Sequence, residues 1–368
     1  MSTAPLPPGP PPRPECRVSV ERIAAFAARI DVRSPSEFAE DHLPGAVNLP
    51  VLDDAERAEV GTMYVQVSAF DARKLGAAIV ARNIARIIET YARDQPREWT
   101  PLVYCWRGGQ RSRALVHVLT EIGWRAHQLD GGYRAYRRHV VATLAVLPRR
   151  FDYRVICGLT GAGKSRLLAA LAAEGAQTLD LEGLARHRGS LLGDLPGDPQ
   201  PSQKGFESGL TAALAALDPA RPVFVESESR KIGDLQVPEA LLATMRGSSC
   251  VRLDTATPLR VAMLKAEYAH FIAAPDELAA RLAHLAPVHG KKVLERWRDA
   301  AARGEFDALV AELLERHYDP MYAQSIARNF PRAGEALVAR ADDVSDAAFR
   351  ALARDVVARS RAGAPAIA

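Results

Sequence analysis

The chain has 368 residues, which is long for a single domain and predicts two. It is 48% hydrophobic and 25% charged, and no apolar run is long enough to cross a bilayer, which argues against a membrane-spanning class. The net charge of +4 is compatible with an anionic partner but does not require one.

The first residues, MSTAPLPPGPPPRPE, are rich in proline and lack the charged start and apolar core of a signal peptide. We therefore expect a disordered tail over residues 1–15 and a cytoplasmic protein without a membrane partner. The four cysteines (Cys16, Cys105, Cys157 and Cys250) form no CxxC pair. This spacing argues against a zinc site and leaves room for a working thiol.

Strand-like and helical segments alternate over residues 16–140, and this alternation predicts a domain with a parallel sheet. In chain order we expect a short strand or entry segment and then a helix in 17–29, a helix start at SPSEFAE and a helix in 71–93. A buried strand at PLVYC and a helix over RSRALVHVLTEIGW that ends at Gly123 follow. The segment HQLDGGYRAYRRHVVATL then supplies a strand, a glycine turn and a basic helix.

A domain boundary is expected near LPRRFDYR, residues 147–154, because the strand and helix pattern restarts there. The strand YRVICG, the helix KSRLLAALAAEG and the strands QTLDLE, VFVESE and CVRLDTA predict a second α/β domain. From about residue 258 onward the chain has a helical pattern. We assign residues 150–330 to this domain with its helical extension, and residues 331–368 to a helical C-terminal cap and tail.

The stretch YCWRGGQRS places Cys105 after a buried strand and before a helix. The amides of such a loop and the helix N-terminus form an anion-binding nest, which also favours the thiolate. Arg107 and Arg111 are the cations predicted to hold the anion, and Cys105 is predicted to be a nucleophile or chalcogen carrier. The other predicted loop residues are Trp106, Gly108, Gly109, Gln110 and Ser112. The alternative is a buried thiol beside a simple glycine turn.

The sequence GLTGAGKS, residues 158–165, is a P-loop between an apolar strand and a helix. Its glycines let backbone N–H groups approach phosphate oxygens, Lys164 reaches the outer phosphates, and Ser165 can bind Mg²⁺. The predicted diphosphate-binding residues are Gly158, Gly161, Gly163, Lys164 and Ser165. This motif predicts a diphosphate ligand but does not require ATP. The alternative is a glycine-rich helix start without a phosphate.

Acidic and basic side chains follow the strands of the second half. The possible metal ligands or acid–base groups are Asp180 and Glu182 in TLDLEG and Glu226 and Glu228 in VFVESESR, with solvated strand ends as the alternative. The sequence does not identify the metal ion, and Mg²⁺ is the candidate. Basic residues that could contact RNA phosphates are Arg137, Arg138, Arg186, Arg188, Lys231, Lys291 and Lys292. For Arg186, Arg188 and Lys231 the alternatives are the phosphates of a small ligand or solvated loops. For the other four residues the alternative is exposed helix faces with Tyr136 and Trp297 packed inward.

The first half resembles a rhodanese domain through DVRSPSEFAEDHLPGAVNLP, PLVYCWRGGQRS and LDGGYRAYR. In that family the cysteine takes up sulfur as a persulfide. Single-turnover rhodaneses usually have four residues between the cysteine and the arginine, whereas five separate Cys105 from Arg111, as in phosphatase-like members. This departure favours a larger tetrahedral anion, such as a phosphate that carries sulfur or selenium.

The chain as a whole resembles the tRNA 2-selenouridine synthase family. Besides the segments above, the resemblance is carried by YVQVSAFDARKLGA, GLTGAGKS, TLDLEGLARHRGS, PSQKGFE and VFVESESRKIG. It implies an N-terminal rhodanese-like domain followed by a P-loop α/β domain, and a transferase acting on wobble 2-thiouridine of tRNA. It further implies S-geranylation with geranyl diphosphate and then exchange for selenium from selenophosphate, without a tightly bound cofactor. Cys105 would accept selenium or act directly in its delivery.

Three other functions stay open at the level of the sequence. A nucleotide-dependent kinase or ATPase with a regulatory rhodanese-like domain would cleave ATP without tRNA. A non-catalytic tRNA-binding adaptor would not need Cys105 for chemistry. A cysteine phosphatase would fit the loop spacing, but no convincing general acid follows the loop.

Overall fold

The computed structural model describes residues 17–190 and 192–362. The predicted tail at residues 1–15 and Cys16 lie outside the described residues. The chain divides into two compact units, Met1–Ala142 and Thr143–Ala368. Among the described helices, none combines the length and the apolar character needed to cross a membrane.

The first unit alternates short strands with helices. In chain order its elements are β1 (Arg17–Val18), β2 (Arg29–Asp31), α1 (Pro35–Glu40), β3 (Ala46–Asn48), α2 (Asp54–Gln66), α3 (Ala69–Ile87), β4 (Leu102–Tyr104), α4 (Gln110–Ile122), β5 (His127–Leu129) and α5 (Gly132–Val146), the last of which continues past the division between the units. The strands form one parallel sheet in the order β1-β5-β4-β2-β3. Ile30 and Val103 of this sheet pack with Ile84, Leu115 and Leu119 of α3 and α4.

Local sequence signals explain where the helices of this unit begin and end. Ser34 and Glu37 form a capping box around Pro35, at the helix start predicted for SPSEFAE. Gly123 ends α4 in the left-handed conformation, at a φ of 117°, as predicted. The helix expected after β1 is instead a 3₁₀ turn, Val20–Ala25. None of its side chains is buried, so packing does not stabilise a longer helix there.

The second unit is larger and contains a further sheet together with most of the described helices. In chain order its elements are β6 (Tyr153–Cys157), α6 (Lys164–Ala173), β7 (Gln177–Leu179), α7 (Leu181–Ala185), α8 (Gln203–Ala215), β8 (Val223–Glu226), β9 (Lys231–Ile232), β10 (Leu235–Gln236), α9 (Glu239–Arg246), β11 (Ser249–Thr255), α10 (Thr257–Glu267), α11 (Ala269–Ala273), α12 (Pro275–Leu282), α13 (Ala286–His289), α14 (Lys291–Ala302), α15 (Phe306–Leu313), α16 (Asp319–Asn329), β12 (Leu337–Ala341) and α17 (Asp346–Ala362).

Five strands of this unit form a parallel sheet in the order β12-β11-β6-β8-β7. Strand β6 is central, and the loop after it leads directly into α6. Ligands of open α/β sheets bind at the carboxyl ends of strands where the strand order reverses. The P-loop therefore lies where this topology expects a ligand. Strands β9 and β10 form a separate antiparallel hairpin.

The prediction of a helical cap over residues 331–368 was wrong for its first part. Strand β12 pairs in parallel with β11 and completes the edge of the main sheet. Helix α17 packs beside α6, and its Phe349, Ala353 and Val356 are buried with Leu167 and Leu171 of that helix. The short sequence LVARA has no strong strand propensity, so its pairing with β11 decides its conformation. The P-loop unit thus continues beyond residue 330.

Candidate active site

Cys105 lies at the buried carboxyl end of β4, where its side chain is 3% exposed. Its Sγ accepts hydrogen bonds from the backbone N–H of Gly109 and from Oγ of Ser112, each over 3.2 Å. Helix α4 begins at Gln110, directly after Gly109. The Cys105 sulfur therefore lies at the positive N-terminus of α4, an environment that stabilises a bound anion.

Gln128 of β5 forms hydrogen bonds with the Cys105 loop. Its Nε2 lies 2.8 Å from the carbonyl oxygen of Gly108, 3.0 Å from that of Gly109 and 2.8 Å from Oγ of Ser112. The sequence HQL predicts only a strand and does not point to Gln128 as a site residue. A buried glutamine on a strand belongs to no recognisable sequence motif. Only the pairing of β5 with β4 shows that Gln128 lies beside the Cys105 loop.

The glycine turn before α5 packs directly against the Cys105 loop. A Cβ atom at Gly132 would lie 2.3 Å from the carbonyl oxygen of Cys105 and 2.3 Å from the nitrogen of Gly108. The backbone N–H of Tyr133 donates to the Cys105 carbonyl over 2.9 Å. Gly132 also has a φ of 57°, so both the backbone conformation and the close approach require glycine here.

Arg111 does not point freely into the loop. Its Nη1 donates to Oε2 of Glu37 over 2.9 Å, and Arg57 contacts the same oxygen over 2.9 Å. Burial works to raise the pKa of Glu37, but the hydrogen bond and charge of Arg111 hold the pKa below its usual value. Glu37 is therefore a charged clamp for Arg111, which the sequence analysis did not single out. Arg107 is exposed on the loop.

Trp106 rests on a stack of buried side chains. Its ring stacks on Tyr133 with 5.3 Å between the ring centroids, and the Arg33 guanidinium lies 4.0 Å from the Tyr133 ring centre. Arg33 forms a buried ion pair with Asp31, and Tyr133 donates a hydrogen bond to Asp41 over 2.8 Å. The ion pair and the hydrogen bond hold these side chains together at the wall of the loop.

A groove of about 500 Å³ borders the first turn of α4 in the same unit. Its lining consists of Gln110, Arg111 and Ala114 of α4, and of Leu52, Val60, Tyr64, Ala72, Arg73, Gly76, Ala77 and Val80 from α2, α3 and the segment before them. Apart from Gln110 and the two arginines, this lining is apolar or aromatic. An apolar substituent on a ligand at Cys105 has a place to lie there.

The P-loop has the backbone conformation expected for phosphate binding. Gly161 and Gly163 have φ values of 72° and 90°, and Gly163 caps the start of α6. Lys164 donates from Nζ to the carbonyl oxygen of Gly158 over 3.3 Å, and its ammonium lies 5.3 Å from the ring centre of Tyr322. Ser165 donates from Oγ to Oε2 of Glu182 over 3.2 Å.

Three glutamates meet beside the P-loop. Oxygen atoms of Glu182, Glu226 and Glu228 all lie within 4.8 Å of one another. Burial raises the pKa of Glu226 to about 7, while burial and the charge of Glu226 raise the pKa of Glu228 to about 8. Burial and the charges of the other two raise the pKa of Glu182 to about 9. Both carboxylate oxygens of Glu226 are buried without a hydrogen-bond partner, so they are available to a cation or a proton.

Of the two candidates in TLDLEG, Glu182 lies in this cluster and Asp180 lies outside it. Asp180 is exposed and its Oδ1 accepts a hydrogen bond from the N–H of Gly183 over 2.7 Å, which caps the start of α7. The sequence TLDLEG offers both carboxylates two positions apart. Only the start of α7 at Leu181 decides which of them faces the P-loop.

The pocket around the P-loop has a volume of about 460 Å³ and includes Arg188. Arg188 binds Glu267 through Nε over 2.9 Å and lies 5.1 Å from the ring centre of Tyr268. Its Nη1 is buried without a hydrogen-bond partner. Arg188, a predicted tRNA contact, lines this pocket together with Lys164.

An apolar cavity adjoins this pocket and shares Thr160, Ser190, Leu264 and Tyr268 with it. The rest of its wall is mostly aliphatic and aromatic: Leu192, Lys265, Phe271, Ile272, Leu278, Phe306, Leu309, Val310, Leu313, Leu314 and Tyr318. Its free space is narrow, about 70 Å³. Lys265 is engaged with Asp307 over 2.8 Å. The cavity therefore offers an apolar chain a path that starts at the phosphate site.

The other predicted RNA contacts are spread over both units. Arg138 is exposed and Arg137 half-buried on α5. Arg186 forms an exposed ion pair with Asp198 over 3.1 Å. Lys231 is exposed on β9, and Lys291 and Lys292 are exposed in the first turn of α14. Tyr136 and Trp297 are buried, as the alternative interpretation expected, and so present no ring for stacking on a base.

Two family models match the chain. The model described as "Rhodanese-like domain" matches residues 21–139, and the one described as "tRNA 2-selenouridine synthase AAA domain" matches residues 151–282. Together with the two parallel sheets, these matches confirm the predicted fold class, a rhodanese-like domain followed by a P-loop α/β domain with a helical part.

Several relatives have the name "tRNA 2-selenouridine synthase", and three of them are described here. The Nitrosomonas europaea protein is 37% identical over 246 residues, which cover 65% of this chain and 63% of the relative. The Marinobacter nauticus protein is 37% identical over 65% of each chain, so both alignments span less than two thirds of the relative. The Cupriavidus necator protein is 36% identical over 328 residues, covering 80% of this chain and 87% of the relative. The chain belongs to the tRNA 2-selenouridine synthase family.

Proposed function

We propose that this protein is a cytoplasmic tRNA-modifying transferase that converts wobble 2-thiouridine into 2-selenouridine. It first transfers a geranyl group from geranyl diphosphate to the sulfur, and selenium from selenophosphate then replaces the S-geranyl group. The name of the relatives supports the overall reaction. The observation that carries the first step is the apolar cavity that opens from the P-loop pocket.

The diphosphate of geranyl diphosphate occupies the P-loop pocket. Lys164 and the backbone amides of residues 158–165 neutralise its charge, and the unpartnered Nη1 of Arg188 supplies a second cation. The ammonium of Lys164 leaves the Gly158 carbonyl and turns toward the ligand. These contacts stabilise the charge that develops on the diphosphate as the leaving group.

The geranyl chain extends from this pocket into the apolar cavity. A nucleotide base requires hydrogen-bond partners, whereas only Thr160, Ser190 and Lys265 interrupt the apolar wall, and Lys265 is paired with Asp307. The cavity is smaller than common ligand pockets of ~300–1,000 Å³, so the leucine and phenylalanine side chains of its wall move apart when the chain enters. This favours an isoprenoid diphosphate over ATP.

The donor set beside the P-loop fits Mg²⁺. Carboxylate and hydroxyl oxygens are its preferred ligands, and Glu226 has two buried oxygens without a partner. Ser165, Glu182, Glu226 and Glu228 are the residues that would hold the ion. When bound, the ion would supply positive charge next to the departing diphosphate.

In the first step the uridine sulfur attacks C1 of the geranyl chain and the bond from C1 to the diphosphate oxygen breaks. The proton on N3 of the uridine is lost, so the product is a neutral S-geranyl nucleoside. Alkylation turns the sulfur into a leaving group that a selenium nucleophile can displace from C2.

The second step takes place at the Cys105 loop. The amides of residues 106–110, the N-terminus of α4 and Arg111 bind the tetrahedral selenophosphate anion. The groove beside Arg111 holds the geranyl substituent, because its lining is apolar apart from Gln110, Arg73 and Arg111. Selenium bonds to C2, geranylthiol departs, and water finally converts the phosphoryl group into inorganic phosphate.

Mass spectrometry of the nucleosides from 2-thiouridine tRNA tests this proposal. Wild type, Cys105→Ser and Lys164→Ala are incubated with geranyl diphosphate and then with selenophosphate. We expect geranylation with wild type and Cys105→Ser, no geranylation with Lys164→Ala, and 2-selenouridine with wild type alone. Cleavage of ATP without a modified uridine would instead establish the kinase or ATPase alternative.

A further inference from the structure

The chemical role of Cys105 follows from the oxidation state of its substrate. Selenium in selenophosphate is at the selenide level, and the phosphorus is at its highest oxidation state. Moving this selenium onto the Cys105 sulfur would form an S–Se bond, which requires a two-electron oxidation. The proposed reaction provides no oxidant, so a selenium-carrying cysteine does not balance.

We propose that Cys105 attacks phosphorus rather than selenium and takes up the phosphoryl group as phosphocysteine. This inference rests on the proposed function and assigns the cysteine to its last step. Selenophosphate itself displaces the geranylthiolate from C2, which leaves a nucleoside whose selenium still carries the phosphoryl group. Cys105 then releases the selenium.

The step balances in atoms and electrons. The Cys105 thiolate forms the S–P bond, the Se–P bond breaks, and its electron pair stays on selenium as the C2 selenocarbonyl forms. N3 of the uridine takes up a proton. Water then hydrolyses phosphocysteine to inorganic phosphate and regenerates the thiolate, so neither an oxidant nor a reductant is needed.

The geometry of the loop suits an attack on phosphorus. Five residues separate Cys105 from Arg111, so the cup is one residue longer than the four-residue loop that serves sulfur transfer. The loop amides and Arg111 bind the three outer oxygens of a phosphoryl group, with Sγ at the base of the cup. The left-handed Gly108, at a φ of 62°, lets the backbone curve around such a group.

The hydrogen bonds on Sγ serve the second half of this step. The N–H of Gly109 and the hydroxyl of Ser112 each donate to Sγ over 3.2 Å. When water attacks phosphocysteine, the sulfur leaves as a thiolate, and these two donors stabilise its charge. Gln128 fixes the Ser112 hydroxyl from the other side over 2.8 Å. Ser112 is thus a positioning and charge-stabilising residue for thiolate departure.

The role of Glu37 agrees with this chemistry. Glu37 is ionised and engaged with Arg111 and Arg57, so it serves as a clamp rather than a proton donor. A selenocarbonyl is a stable leaving group and needs no protonation at selenium. The absence of a convincing general acid, which argued against an ordinary phosphatase, therefore does not impede this reaction.

The test uses the full-length protein and a synthetic anticodon stem-loop that already carries S-geranyl-2-thiouridine, so the P-loop step is bypassed. With selenophosphate, Cys105→Ser and Cys105→Ala should still release geranylthiol and accumulate a nucleoside that carries both selenium and phosphate. Ser112→Ala should accumulate phosphocysteine, seen as a phosphate adduct on the Cys105 peptide. Arg113→Gln, an exposed neighbour on α4, is the matched control and should make 2-selenouridine as wild type does.

Two results would overturn the assignment of phosphocysteine to Cys105. If the S-geranyl nucleoside persists unchanged with both Cys105 variants while wild type consumes it, Cys105 delivers selenium and the inference is overturned. A selenium adduct in place of a phosphate adduct on the Cys105 peptide would overturn it as well. If wild type fails to convert the S-geranyl nucleoside, the proposed function itself is at fault.

Discussion

Arg111 donates a hydrogen bond from Nη1 to Oε2 of Glu37 over 2.9 Å, although 74 positions separate the two residues in the chain. The pair joins the first turn of α4, which carries the anion-binding loop, to helix α1. The orientation of the guanidinium at the Cys105 loop therefore depends on a carboxylate that belongs to no recognised motif of the loop.

Replacing Glu37 by Gln should slow the exchange of S-geranyl for selenium by about tenfold, or ~1.4 kcal/mol in the barrier, because Arg111 loses its orientation. Geranyl transfer, which uses the P-loop, should not change. Single-turnover assays with each purified RNA substrate measure the two steps separately. Arg57→Gln is the control: it removes the other, half-exposed partner of Glu37 and should have little effect. Equal losses in both variants would contradict the clamp.

The three glutamates predict an unusual pH dependence of stability without ligands. Their folded-state pKa values of about 7, 8 and 9 exceed the usual value of 4.5. The folded protein thus binds protons that the unfolded chain releases. The contribution of this proton binding to the free energy of unfolding is complete below pH 4.5. It is lost progressively as pH rises, up to about pH 9. The melting temperature in EDTA should fall over this range.

Glu226→Gln should reverse part of this fall, because an amide carries no charge to repel Glu182 and Glu228. The difference in melting temperature between variant and wild type should become more positive from pH 5 to pH 9. Glu239→Gln, at an exposed position on α9, is the control and should follow the wild-type curve. Mg²⁺ should raise the melting temperature of wild type at pH 8 more than that of Glu226→Gln. Parallel curves for all three proteins would exclude electrostatic strain in the cluster.

Gly132→Ala should abolish selenium exchange and destabilise the first unit. A Cβ atom there would meet Cys105 and Gly108 backbone atoms at 2.3 Å, so the loop has to move. Gly123→Ala separates this clash from backbone strain, because Gly123 also has a positive φ but no atom lies within 4 Å of its added Cβ. Both variants should lose about 1–2 kcal/mol from the left-handed conformation. Chemical denaturation and the exchange assay should show that only Gly132→Ala loses activity.

Phe349 connects α17 to the P-loop, because its ring carbon Cζ would lie 2.7 Å from a Cβ atom at Gly163. Phe349→Ala should lower the free energy of unfolding by about 3–5 kcal/mol and raise the KM for geranyl diphosphate. Val356→Ala, in the same helix and core, should cost roughly 0.5–3 kcal/mol and leave this KM unchanged. Chemical denaturation measures the free energy of unfolding of both variants, and steady-state assays measure their KM for geranyl diphosphate. An unchanged KM in Phe349→Ala would show that α17 stabilises the unit without supporting the loop.

Much of the architecture could be predicted because its signals are local. The P-loop motif, the cysteine loop, the capping box at Ser34 and the glycine at position 123 each act within a few neighbouring residues. Alternating strands and helices then predict parallel sheets, and both sheets are parallel. The strand at LVARA was missed because its partner β11 lies more than 80 positions earlier.

The sequence by itself determined where the two candidate loops lie, since backbone geometry and charge within each loop follow from its own residues. Only the tertiary structure decided which distant side chains complete them. It brings Glu37 to Arg111 and Gln128 to Ser112. It also selects Glu182 instead of Asp180 for the carboxylate cluster and places Arg188 in the pocket around the P-loop. These contacts depend on strand order and helix packing, which set distances between residues far apart in the chain.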